Sequence, residues 1–374
     1  MIRFINSIDT GLLSAFQRIK LSTTVSTIYL AHYRIFFGIL LLIYFSPTWT
    51  WLKDVPPAFF NPFVFSLANL SDGHLPSYMY ILADSLAILF SLFIVIGLYT
   101  RFALFGMFML NSIFYSYYYS FGKIDHHTTI LIFAFLTLAF TNMGTIMAMR
   151  KDKSLSMETQ KNALAILAII VCFGFFSAGF PKLLKWVDFD LNTSGFLFWF
   201  YPGYLLSHNQ AFLSSYVFQI PSFLLECMDY AAALFETSAF IFLFRGKRSW
   251  LIYLMLACIF HLANQLILNI DFTLNVLTYG VFLVAPIIHL TIQKTKSFIR
   301  PLFAIGLVIL IAIAKLIFVL IDESFQFLNY DSIDTSMKNW INLIIWIFTI
   351  ACSLHIIQKS KQLTIKSVGE RGDI

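Results

Sequence analysis

"NALAILAIIVCFGFFSAGFPKLLKW", residues 162–186, sets the class of this protein. Its first 20 residues carry no charged side chain, and at a rise of 1.5 Å per residue such a run crosses about 30 Å of hydrocarbon, so it reads as a membrane-spanning helix. The run meets a helix breaker, Pro181, and then Lys182, just behind a patch of small residues, Ser177, Ala178 and Gly179. A lysine near lipid is costly, about 2.5–3.5 kcal/mol at mid-helix on insertion scales. Two readings account for it. Lys182 and Lys185 snorkel as anchors beside Trp186, or Lys182 is a chemical reagent.

The same signal recurs along the chain. Hydrophobic residues make up 59% of the 374 and charged residues 12%, about half the charged share of a soluble domain. The chain therefore reads as an all-α, polytopic membrane bundle. Apolar runs predict about ten transmembrane helices, near 28–46, 79–98, 102–119, 126–144, 162–181, 222–244, 250–268, 272–290, 301–321 and 339–357. On that reading 18 of the 25 lysines and arginines fall on alternate segments that include both termini, and 5 on the opposite ones. Positive charge collects on the cytoplasmic side, so both N- and C-termini are expected there. This sorting accounts for the formal charge of +6 without a nucleic-acid partner.

Residues 1–27 form a cytoplasmic or interfacial segment in which Ile5, Ile8, Leu12, Phe16 and Ile19 recur at helical spacing. It lacks the apolar core and small-residue cleavage site of a signal peptide. The main transmembrane domain covers 28–290, two additional helices lie within 291–358, and 359–374 is a basic cytoplasmic tail. Loops 47–78 and 182–221, with "WTWLKDVPPAFFNPF" (49–63) and "SGFLFWFYPGYLL" (194–206), are poor in charge and read as membrane-hugging segments that roof a cavity. Four cysteines, Cys172, Cys227, Cys258 and Cys352, have no paired spacing and read as small core residues.

Ionisable side chains inside spans each need a reason. His126 and His127 open the fourth span, Lys182 closes the fifth, and Glu226 and Asp229 lie in the first turns of the sixth. His261 and Asn264 lie in the outer half of the seventh, and Asp271 and Asn275 open the eighth. Five consecutive helices thus place polar groups in one outer slab, which predicts a shared, water-accessible cavity on the extracytoplasmic side. Structural alternatives stand beside it: an interfacial loop end for the histidine pair, a core hydrogen bond for His261, a favourable helix dipole for Glu226 and Asp229. His32 and Arg34, near the inner end of the first span, read as snorkelling or packed on a loop, and Lys315 and Glu236 have no assigned role. No HxxxH or HExxH spacing joins the histidines, so no metal is expected.

Five pieces in order, "YRIFFGILLL" (33–42), "IGLYTRFALF" (96–105), "DHHTTILIFAF" (125–135), "FSAGFPKLLKW" (176–186) and "IFHLANQL" (259–266), resemble the horizontally transferred transmembrane (HTTM) domain. That domain is the membrane portion shared by vitamin K-dependent γ-carboxylases and many bacterial proteins. The resemblance implies a membrane-embedded lyase of the γ-glutamyl carboxylase type in a bacterial plasma (inner) membrane, using reduced vitamin K or a related quinol with O2 and CO2. Lys182 falls on the second lysine of the family's "AGxKKL" segment, Pro181 replacing the first, and so takes the place of the base proposed to deprotonate the quinol. His126 or His127 takes the place of the catalytic histidine. "FHLAN" gives His261 and Asn264 a cavity-lining, cofactor-binding role, to which Glu226 and Asp229 are added. The animal enzymes append a large lumenal domain for propeptide recognition where this chain has two further spans and a tail.

The expected chemistry is quinol oxidation, with epoxidation, coupled to carboxylation or a related modification of an extracytoplasmic peptide or small acid. A lysine is a base only in its neutral form, which burial favours. The alternative is a non-catalytic membrane carrier, or an assembly or maturation partner for a lipid or a secreted peptide.

Overall fold

The computed structural model describes residues 2–45, 48–71, 73–122, 126–206, 210–295, 301–321 and 335–369. In chain order its α-helices are α1 (Ile2–Ser22), α2 (Thr27–Leu40), α3 (Ser77–Ile96), α4 (Thr100–Tyr118), α5 (His126–Ala139), α6 (Met157–Lys185) and α7 (Gly195–Tyr201). There follow α8 (Ser222–Thr237), α9 (Ala239–Phe244), α10 (Lys247–Leu268), α11 (Val276–Leu283), α12 (Ala285–Thr295), α13 (Pro301–Ile321) and α14 (Thr335–Gly369). No strand occurs among the described residues, so the fold is all-α. Among them five helices are long and apolar enough to cross a membrane: Thr27–Asp54, Ser77–Ile96, Met157–Lys185, Lys247–Leu268 and Met337–Gln358. Thr128–Ala139, Thr273–Leu283 and Ile305–Ile321 are apolar but shorter.

Two expected spans are divided. The sixth is α8 followed by α9. At the junction the Thr237 and Ser238 hydroxyls donate back to the carbonyls of Ala233 and Phe235, 2.8 Å each, and compete with the helical ladder. The eighth divides into α11 and α12 at Val284. Pro286 stands in the first turn of α12, where its missing amide is harmless; in an unbroken helix it would leave the Phe282 carbonyl without a donor. Pro181, by contrast, does not break α6, which continues to Lys185. The loss there is a single ladder bond, and the Trp186 amide still donates to the Lys182 carbonyl at 2.7 Å. Cys172, Cys258 and Cys352 are buried as expected, whereas Cys227 is exposed, because it points away from the buried stripe of α8.

By contact the chain forms two compact units, one of Met1–Thr24, Leu164–Val284 and Asn339–Ile374, the other of Val25–Ala163 and Ala285–Lys338. In the second unit α2, α3, α4 and α5 pack in succession, with α12 on α2 and α13 on α3. Rings of Phe37, Phe45, Trp49, Tyr115 and Phe135 meet in its core. Arg34 is fully buried and donates to the carbonyls of Ile94 (3.0 Å) and Met147, so it packs under a loop rather than snorkelling. The π-helical turn Leu41–Phe45 that follows α2 presents the Ile43 carbonyl to Lys315 Nζ at 3.3 Å. In the first unit the amphipathic α1 packs on α9 and α10, and Lys247 Nζ donates to the Thr24 carbonyl at 2.9 Å.

Candidate functional site around Lys182

The buried residues of α8 are Leu225, Glu226, Asp229, Ala233 and Glu236. Their spacing of three and four makes one stripe, and it carries three carboxylates while apolar side chains such as Phe223 and Leu234 face outward. A helix of this kind is lipid-facing outside and polar within.

Glu236 lies in the last turn of α8, and it is the partner of Lys182. Nζ is 2.7 Å from each of Oε1 and Oε2, with the side chains 23% and 6% exposed. The two charges suit their places unequally. A cation in the last turn of α6 complements that helix's dipole, whereas a carboxylate at the end of α8 opposes it, and the ion pair offsets the mismatch. Lys182 Nζ also stands over the rings of Trp186 (5.2 Å) and Phe260 (6.0 Å), at cation–π distances.

The small-residue patch explains how α8 comes so close. A Cβ on Gly179 would lie 2.6 Å from Glu236 Cβ and 2.9 Å from the Thr237 amide nitrogen. Gly179 and Lys182 are three residues apart on one helix face, so the glycine admits the backbone whose carboxylate the lysine then binds. Gly179→Ala is expected to cost about 1–3 kcal/mol by overpacking. Gly203→Ala, with nothing within 4 Å, is expected to stay within about 0.5 kcal/mol. Thermal unfolding of the two variants in detergent checks the contrast.

Asp229 is engaged elsewhere. Its carboxylate accepts from Ser194 Oγ (3.0 Å) and from the amides of Gly195 (2.9 Å) and Phe196 (2.8 Å), which ties the start of α7 to α8. Gly195 is required there because a Cβ would collide with the Trp186 ring. Before α7 runs an exposed turn, Asp188–Thr193, in which Asp188 and Asp190 accept from Asn192, Thr193 and the turn's own amides. The amide and side chain of Asn192 hold the Asp190 carboxyl below the usual carboxylate range, so the turn is charged at neutral pH. Glu226 is buried beside Asp229 and Tyr230. Along α8, Glu226 and Asp229 stand about 15 and 10 Å from Glu236, so Lys182 is level with Glu236 and Phe260 and not with the first two carboxylates.

His261 is buried, with Nε2 3.4 Å from Asn275 Nδ2. Five rings surround it: Phe272 at 4.6 Å, Trp346 at 5.5 Å, Phe175 at 5.6 Å, Phe260 at 5.8 Å and Tyr279 at 6.3 Å between centroids. Phe260 therefore links His261 to Lys182. Asn264, half-buried, accepts through its backbone carbonyl the capping amide of Asn269, a residue in the left-handed region. Asn275 is thus a polar neighbour of His261, and Gln265 of α10 reaches α14, its Nε2 2.8 Å from Asn339 Oδ1. His126 and His127 open α5 in the other unit, and their side chains lie outside the described residues.

Sequence reasoning missed Glu236 as the partner and passed over Asp84, a buried acid in the second unit. The signal for Glu236 was present: it stands seven residues, two helical turns, after Asp229 on the same stripe. Among the described residues no three His, Cys, Asp or Glu side chains gather as a metal set. Compared with protein-family models, with curated proteins and with solved structures, the chain finds no match.

Proposed function

We propose that this chain is a quinol-linked membrane enzyme of the γ-carboxylase type, with ten spans, both termini in the cytoplasm and its site open to the extracytoplasmic side of a bacterial inner membrane. The Lys182–Glu236 pair carries this reading. At 2.7 Å the Glu236 carboxylate is in place to take a proton from Nζ when substrate enters, an exchange that would free the amine as a base without adding net charge to an apolar setting. Trp186 and Phe260 offer ring faces beside Nζ, the chemistry a flat aromatic head group needs for stacking. When bound, a reduced quinone would supply the oxidisable ring whose reaction with O2 drives carboxylation by CO2. His261, Asn264 and Glu226 are assigned to shaping that side of the site, and Asp229 to holding the start of α7 beside it. The substrate is a peptide or small acid from outside the membrane.

Purified protein given reduced naphthoquinone, O2, labelled bicarbonate and a glutamate-containing peptide is expected to form quinone epoxide and an acid-stable labelled peptide. Quinone binding without either product would overturn the enzyme reading and leave the carrier.

A further inference from the structure

The loop that joins α2 to α3 ends in an apolar tip. Phe63, Val64, Phe65 and Leu70 are exposed, Phe65 completely at 101% and Val64 at 84%. From Val55 to Ser71 the chain has no Asp, Glu, Lys or Arg. An exposed apolar patch without charge marks a contact surface, and three observations in the second unit say what it contacts.

Two of the tip's carbonyls are satisfied from within. The Phe63 carbonyl accepts from the Ser66 amide (2.8 Å) and from Asn69 Nδ2, and the Val64 carbonyl accepts from the same Asn69 amide group at 3.1 Å. Backbone carbonyls tied inward while large apolar side chains point outward suit a medium that cannot hydrogen-bond.

Next, the loop is held down on the helix ends. The Asn61 amide donates to the Ser120 carbonyl (2.8 Å), Ser66 Oγ to the Ser116 carbonyl (3.4 Å), and Tyr117 hydroxyl to Ser71 Oγ (2.9 Å). Phe60 stacks on Tyr117 with centroids 6.0 Å apart.

Finally, Ser116 continues an exposed stripe of α4. Phe102, Phe105, Met109 and Ile113 are exposed at helical spacing on that helix, and Ser116 follows Ile113 by three residues. The tip therefore stands at the end of a stripe of exposed apolar side chains and prolongs it.

We propose that Phe63, Val64, Phe65 and Leu70 form a preorganised wedge inserted in the lipid leaflet at which α2 ends and α3 begins. Interfacial elements of this sort bury their apolar face about 5–10 Å into the headgroup–acyl boundary. The absence of charge makes the insertion independent of anionic lipid and of salt.

Spin labels test this in the full chain, reconstituted in neutral phosphatidylcholine vesicles, with exposed Cys227 replaced by serine. Labels are placed at Phe65→Cys, at Phe105→Cys on the α4 stripe, and at Ser154→Cys as a water-exposed reference. The label at 65 is expected to collide with oxygen in preference to a neutral nickel chelate, as at 105 and opposite to 154, unchanged between low and high salt. A preference for the chelate at 65 places the tip in water and overturns the proposal. Protection from both collision partners, which a covering protein copy would give, overturns it as well.

Discussion

Replacing Glu236 by leucine is expected to destabilise the protein by about 3–5 kcal/mol, because the Lys182 ammonium is then left without its counter-charge between Trp186 and Phe260. Lys182→Met is expected to be costly too, since it leaves the carboxylate at the C-terminal end of α8, where the dipole disfavours it. The double variant Lys182→Met/Glu236→Leu removes both charges, and it is expected to recover much of the loss. Unfolding in detergent across the four proteins gives the coupling energy, about 0.5–3 kcal/mol for side chains in contact. Additive losses would mean that the pair is not formed. Turnover separates structure from chemistry: the double variant is expected to be folded yet unable to consume reduced naphthoquinone. Retained turnover in that variant would remove Lys182 from the mechanism, whatever the stability data show.

Asp84→Ala is the second large effect. Asp84 stands seven residues into α3 and is fully buried, and its carboxylate accepts from the amides of Thr48 (2.7 Å), Trp49 (3.0 Å) and Thr50 (2.7 Å) and from Thr50 Oγ1 (2.6 Å). It substitutes for a missing turn: three consecutive amides at the start of a 3-10 helix have no carbonyl partner of their own and point at one anion. Hydrogen bonds to a charged group contribute about 1.5–3 kcal/mol each when lost singly; because these four share one carboxylate, the total is not their sum, and a loss of about 3–5 kcal/mol is expected. Asp84→Asn keeps an acceptor and is expected to lose less. Protease cleavage within 50–70 offers a local readout, since releasing Thr48–Thr50 frees the loop before α3 unfolds.

The class of the fold was legible because membrane insertion is read locally. A run such as 162–181 is long and apolar whatever surrounds it; helices lie in all ten predicted runs, and among the described residues five of them are long and apolar enough to cross a membrane. Breaks were less legible. Pro181 is inside α6 and harmless, Pro286 opens α12, and the junction at Ser238 has no proline at all, being made by hydroxyls that compete for carbonyls. A breaker's effect depends on its position within a helix, which composition does not state.

The polar residues show the same division. Sequence marked Lys182, Glu226, Asp229 and His261 as groups that lipid would not tolerate unpaired; Lys182, Asp229 and His261 are met by other side chains or backbone, whereas both Glu226 oxygens are buried without a hydrogen-bond partner among the described residues. It did not say which. The lysine's partner is 54 residues away, and the carboxylate read as a cofactor ligand, Asp229, is occupied by the start of α7.

What the sequence determined by itself is the medium and the helical content, because hydrophobic length acts residue by residue along one segment. What the tertiary structure decided is who neutralises whom. That choice rests on the approach of helix backbones, and at this site on one glycine: without the space at Gly179, Glu236 would not come within 2.7 Å of Lys182.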